Sequence, residues 1–185
     1  MAQFDEAVEV KPVSPAIRQQ MIEQCANLLH KQQRYCVWQL LDYALRKRCG
    51  KGVDAFDFSV DDNGKWNTDC GVSFSLSHSG NVVAVALSDT PVGIDVEAVD
   101  VKRFNARLAQ RILTENERAI YNNVTRVEQP HLLAEFWTKK ESLFKRDGGK
   151  AFAPSAIDTT TNSVSSTNIT FNDKIIVVSI ATLQK

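Results

Sequence analysis

The chain has 185 residues, enough for one domain or two small packed lobes around a real core. Its 22 lysines and arginines balance 22 aspartates and glutamates, so no global positive field exists to favour nucleic acid. The longest uncharged apolar run, Val82 to Leu87, is far too short for a bilayer, and Met1 to Glu6 lacks the basic and apolar regions of a signal peptide, so a cytoplasmic chain without membrane contact is expected.

The first part is expected to be helical. Ile17, Met21, Cys25 and Leu28 repeat at helical spacing after Pro15, and Arg34, Val37, Trp38, Leu41 and Leu45 repeat similarly up to Gly50. Cysteines 25, 36, 49 and 70 form no CxxC pair and no disulfide framework, so reduced thiols are expected, with Cys25 and Cys36 inside helices. Short strands follow near Ala55 to Val60, Gly71 to Ser75 and Val82 to Leu87, separated by Asp-Asn-Gly and Ser-Gly turns. Beyond the turn at Asp89-Thr90-Pro91 comes a strand from Val92 to Glu97. Thr114 and Glu117 have the spacing of a capping box, predicting a helix start. A long helix is predicted from His131 to Arg146, stopped at Gly148-Gly149. Ser155 to Thr167 reads as a variable loop, and Ile169 to Phe171 with Ile175 to Ile180 as a hairpin around Asn172-Asp173. Helices and strands in this order indicate a mixed α+β domain.

Three segments carry chemistry. In Val92-Gly93-Ile94-Asp95-Val96-Glu97, strand alternation puts Val92, Ile94 and Val96 on one face and two carboxylates on the other. Their repulsion needs relief by a bound cation, a raised pKa or an open solvated edge. On the long helix, Leu133, Trp137, Glu141 and Lys145 recur every four residues along one face; Glu141 and Lys145 alone make an ordinary ion pair. Upstream, Phe74-Ser75-Leu76-Ser77-His78-Ser79-Gly80 adds an imidazole and hydroxyls. Together these groups suit chemistry on a phosphate ester or pyrophosphate.

The ordered set resembles the signature of the 4′-phosphopantetheinyl transferases, particularly the surfactin-type branch: Ser-His-Ser, then Gly-Ile-Asp-(Ile/Val)-Glu, then Trp-x-x-Lys-Glu-(Ser/Ala)-x-x-Lys. The likeness runs from about Gly64 to Pro154. It implies two pseudo-symmetric lobes, 1–90 and 91–185, each a small mostly antiparallel sheet with a long helix, the site lying between them. It also implies a monomer that transfers the phosphopantetheine arm of coenzyme A to a serine of an apo acyl or peptidyl carrier protein. Adenosine 3′,5′-bisphosphate is released, and Mg2+, or Mn2+, is required.

By the same resemblance Asp95, Glu97 and Glu141 are the metal ligands. Glu141 takes the serine proton, directly or through a metal-bound water, and Lys145 stabilises the leaving bisphosphate. His78, with Ser77 beside it, is assigned to a phosphate of coenzyme A. Lys65 is assigned to the nucleotide end, although Gly64-Lys65-Trp66 has tryptophan where relatives have proline. Arg34 matches an arginine that reaches the 3′-phosphate. The region before Arg34 is shorter than in large relatives, leaving His30 and Lys31 as loose candidates for the same phosphate. Trp137 and Lys140 are assigned packing and orientation. Carrier proteins of this class are acidic, so Arg103, Arg107 and Arg111, spaced at i, i+4 and i+8 on an expected helix with Phe104 and Leu108 on an adjacent face, are the docking candidates. A Mg2+-dependent pyrophosphate hydrolase and a degenerate coenzyme A-binding module are the alternatives.

Overall fold

A computed structural model describes residues 1–5 and 7–183. Glu6 of the amino-terminal segment and the final two residues of the expected second lobe therefore lie outside the described residues. The fold is α+β. Helix α1 (Ala16–Glu23) stops short of the expected Leu28, because Asn27 caps the next helix by accepting from the His30 N–H; Cys25 therefore lies between helices. Helix α2 (Leu28–Cys49) ends at Gly50, whose φ of 73° is left-handed. All four cysteines are free thiols.

Strands β1 (Ala2–Gln3), β2 (Phe58–Val60), β3 (Trp66–Thr68), β4 (Ser73–Ser79) and β5 (Val82–Ser88) follow the turn signals. β3 has no counterpart among the expected strands, and β4 runs four residues beyond its expected end, placing Ser77, His78 and Ser79 on a strand. One antiparallel sheet has the order β1-β5-β4, and β2 pairs with β3. Helix α2 covers the first sheet, burying Trp38, Leu41 and Leu45 against Phe74 and Val53, and Val37 against Val83.

Strand β6 (Val92–Ala98) opens the second half. Helices α3 (Ala106–Ile112), α4 (Glu115–Asn123) and α5 (Gln129–Asp147) follow, then β7 (Ser165–Phe171) and β8 (Lys174–Thr182). α4 begins with the expected Thr114–Glu117 capping box. β7 and β8 turn through Asn172 and Asp173, at φ 46° and 60°, the positive angles a two-residue hairpin needs. β7 begins inside the expected loop. The second sheet, order β6-β8-β7, is antiparallel and is covered by α5, with Leu133, Ala134 and Phe136 buried beside Val177. The halves share a core: Val82 and Ala84 of β5 pack with Ile94 and Val96 of β6 and with Ile176 and Val178 of β8. Among the described residues no helix is long and apolar enough to cross a membrane.

Candidate active site

Strands β4 and β6 come from different sheets and meet through serines. The N–H groups of Ile94, Val96 and Ala98 donate to the hydroxyls of Ser75, Ser77 and Ser79 at 3.0, 3.2 and 3.2 Å. Two hydroxyls then pass a bond onward: Ser77 donates to Asp95 Oδ1 and Ser79 to Glu97 Oε2, each at 2.7 Å. Each serine thus satisfies a backbone donor of β6, and Ser77 and Ser79 also orient the carboxylates they bond. Ser75 and Ser79 were not expected as site residues, although their alternation with Ser77 is plain in the sequence.

Asp95 and Glu97 are both buried, so the acidic face of β6 is turned inward rather than left as a solvated edge. Helix α5 lies against β6 and supplies Glu141 and Lys145. The Lys145 ammonium donates to Asp95 Oδ1 at 2.6 Å and to Ser77 Oγ at 3.3 Å, and lies 3.6 Å from Glu141 Oε2. Burial and then the Asp95 charge raise Glu141 above the usual carboxylate range, against the pull of Lys145. Glu97 is raised by burial and then by Asp95, with Arg103 and Ser79 opposing. Burial alone would lower Lys145, but the Asp95 and Glu141 charges together raise it and keep it protonated.

Other expected site residues are placed differently. Arg103 precedes α3 rather than sharing its face with Arg107 and Arg111. Its guanidinium clasps Glu97, Nη1 at 2.5 Å from Oε2 and Nη2 on Oε1, over the Trp137 ring. Phe104 is fully buried and Leu108 packs against the same core, so neither offers an apolar docking face, whereas Arg107 and Arg111 are exposed on α3. His78 lies on the opposite face of β4 from Ser77, not beside it on one surface. Partial desolvation against the neighbouring residues, then the charges of Lys145 and Arg18, push its pKa down to about 4. The residue is still exposed to water, which moderates the effect without changing its sign: the imidazole is neutral at physiological pH.

Arg34 donates to the Met21 carbonyl, and its own carbonyl accepts from Arg18. Arg18, absent from the expected site, is buried over the rings of Trp38 and Trp66 and perturbs His78 together with Arg34 and His30. Lys65 reaches from the β2–β3 hairpin to the Arg146 carbonyl at the end of α5, 2.8 Å away. It borders a cleft of about 190 Å³, with Trp66, Phe74, Phe144 and Lys145 in its walls. Lys140 points away from the acidic row, into a fully buried pair with Glu117 at 2.6 Å.

The fit of this row to a divalent cation has one direct observation: Asp95 Oδ2 is buried without a hydrogen-bond partner. Hard carboxylate oxygens are what such a cation takes. Residues 91–183 match the family model of the 4′-phosphopantetheinyl transferase superfamily. The chain belongs to that superfamily. The matched region holds Asp95, Glu97, Glu141 and Lys145 but not the Ser-His-Ser strand. The chain is similar to the 4′-phosphopantetheinyl transferase AcpT of Escherichia coli (strain K12), 34% identical over 91 residues, 49% of this chain and 47% of that protein. It is also similar to the 4′-phosphopantetheinyl transferase gsp of Aneurinibacillus migulanus, 32% identical over 97 residues, 52% of this chain and 40% of that one. A third relative, the 4′-phosphopantetheinyl transferase Sfp of Bacillus subtilis (strain 168), is 32% identical over 75 residues, covering 40% and 33%. The matched segments span less than half the length of each of these transferases.

Proposed function

We propose that the protein transfers the 4′-phosphopantetheine arm of coenzyme A to a serine of an apo carrier protein, releasing adenosine 3′,5′-bisphosphate. The observation that carries this is Lys145, whose ammonium touches Asp95 and Ser77 of the two abutting strands and pairs with Glu141 on its own helix. Transfer needs two things at one point, a base for the serine proton and positive charge for the departing phosphate. Glu141, with its raised pKa, takes the proton from the serine hydroxyl. The serine oxygen bonds the β-phosphorus, the bridging P–O bond breaks, and its electron pair leaves on the adenosine bisphosphate, where Lys145 neutralises the charge.

Asp95, Glu97 and Glu141 would hold Mg2+, or Mn2+, which when bound supplies further charge neutralisation to the pyrophosphate. The cleft beside Lys65 would take the nucleotide end of coenzyme A between aromatic walls, with His78 and Arg34 toward its phosphates. Residues 1–90 and 91–185 would act as the two lobes of a monomeric cytoplasmic enzyme, and Arg107 and Arg111 would meet an acidic carrier. Incubation with labelled coenzyme A and a panel of apo carriers tests the reading. Label should appear on a carrier serine with one adenosine 3′,5′-bisphosphate per transfer. Release of phosphopantetheine with no carrier present would instead indicate a pyrophosphate hydrolase.

A further inference from the structure

Asp95, Glu97 and Glu141 do not form a ready-made cage: among the described residues no three Asp, Glu, His or Cys side chains meet closely enough to hold a metal ion. Glu97 shows why. Both of its oxygens are bonded by Arg103, and Ser79 donates to one of them. Without that guanidinium, Glu97 would be a buried carboxylate with no direct ionic partner among the described residues, beside Asp95, whose own oxygen already takes the Lys145 ammonium.

Arg103 is the more exposed member of its pair with Glu97. It stands in the loop between β6 and α3, and its side chain is 45% exposed while that of Glu97 is 9% exposed. Its guanidinium carbon lies 5.1 Å from the Phe104 ring centre and 5.6 Å from that of Trp137, so aromatic faces can carry the cation after it releases the carboxylate. Lys145, by contrast, projects from the packed helix α5 and holds Asp95 and Ser77 together. We infer that Arg103 is a resident counter-cation for Glu97, displaced when a divalent cation enters the carboxylate row. The inference rests on the metal-dependent reading above. It makes Arg103 a positioning residue that sets the threshold for metal entry, in place of its expected role on a docking face.

Mn2+ alone, without coenzyme A, is the probe. Free Mn2+ is followed by electron paramagnetic resonance with wild type, Arg103→Gln and Arg103→Lys. Arg103→Gln should bind Mn2+ about tenfold more tightly, the size of one charge-assisted hydrogen bond no longer competing. Arg103→Lys should fall between the two, because an ammonium cannot make the paired contact of a guanidinium. In chelator, Arg103→Gln should unfold at lower urea than wild type, and saturating Mn2+ should close that gap. A purely structural contact would leave the gap open. Equal or weaker Mn2+ binding by a folded Arg103→Gln overturns the inference; should that variant not fold, equal binding by Arg103→Lys and wild type overturns it. Either result would leave phosphopantetheine transfer by wild type untouched. Failure of that transfer would overturn the enzymatic reading and leave the Mn2+ comparison standing.

Discussion

Gly93 lies directly beneath Ser142: a Cβ placed on Gly93 would fall 1.8 Å from the Ser142 carbonyl oxygen and 2.6 Å from the Arg146 nitrogen. Backbone meets backbone there, and this contact sets the height of α5 over β6. Asp95 and Glu97 follow Gly93 on the same face of the strand, and Glu141 precedes Ser142 on the helix. The glycine in the Gly-Ile-Asp-Val-Glu segment therefore decides how closely the helical Glu141 and Lys145 approach the strand carboxylates.

Gly93→Ala should destabilise the fold and disturb the site together. Overpacking typically costs about 1–3 kcal/mol, and a clash with rigid backbone on two sides belongs at or above the upper end. The urea midpoint should fall sharply, and turnover should drop in whatever protein remains folded. A midpoint equal to wild type would show that α5 has room to lift.

Glu141→Gln should lower the transfer rate by about 10²–10⁴-fold, the usual contribution of a general base, while weakening coenzyme A binding far less. Lys145→Ala removes the ammonium from Asp95 and Ser77 and should also depress the rate, through the leaving group. Steady-state kinetics with an apo carrier separate kcat from the KM for coenzyme A. Unchanged turnover in both variants would reduce the pair to an ordinary helical ion pair.

The local devices of this fold are legible in the sequence because neighbouring residues carry them. Thr114 and Glu117 cap α4, Asn172 and Asp173 turn the last hairpin, and the alternation of β6 separates its carboxylates from its apolar core. What escapes the sequence depends on long-range contacts. Ser75, Ser77 and Ser79 alternate visibly, but that they bond the backbone of β6 emerges only once two sheets abut. The spacing of Arg103, Arg107 and Arg111 suggests one helical face, yet Asn105 caps α3 by accepting from the Arg107 and Leu108 N–H groups, so the helix starts after Arg103, which turns to Glu97 instead. β3 is three residues long, too short for periodicity to reveal, and owes its place to Trp66 packing on Trp38 and Phe58.

Lys140, within the Trp-x-x-Lys-Glu segment, should prove structural. It and Glu117 are fully buried; its ammonium also donates to the carbonyls of Pro154 and Ile157, and Glu117 accepts from the N–H and hydroxyl of Thr159. This network ties α4, α5 and the segment after α5 together. Lys140→Met strands the Glu117 charge in the interior and should cost about 3–5 kcal/mol. Lys140→Met with Glu117→Gln should recover part of that loss, because the stranded charge is gone. Urea unfolding of the single and double variants measures the difference, and a double variant no more stable than the single would place the loss elsewhere.

The last prediction concerns pH. Desolvation first, then the charges of Lys145, Arg18, His30 and Arg34, push the His78 pKa from the usual 6.5 down toward about 4, an effect that its exposure to water moderates. Between those values the unfolded chain takes up a proton that the folded protein refuses. The stability His78 contributes is therefore fully present above pH 6.5 and is lost as pH falls toward 4. Its imidazole resonances should titrate well below 6.5, and Lys145→Met should move that midpoint upward by removing one opposing cation. His78→Gln removes the titrating group, so the urea midpoint of wild type should fall relative to that variant as pH drops from 6.5 to 4. A His78 midpoint at or above 6.5 by NMR would mean that the surrounding cations are too well screened to act on the ring, and the pH slope would then have another source.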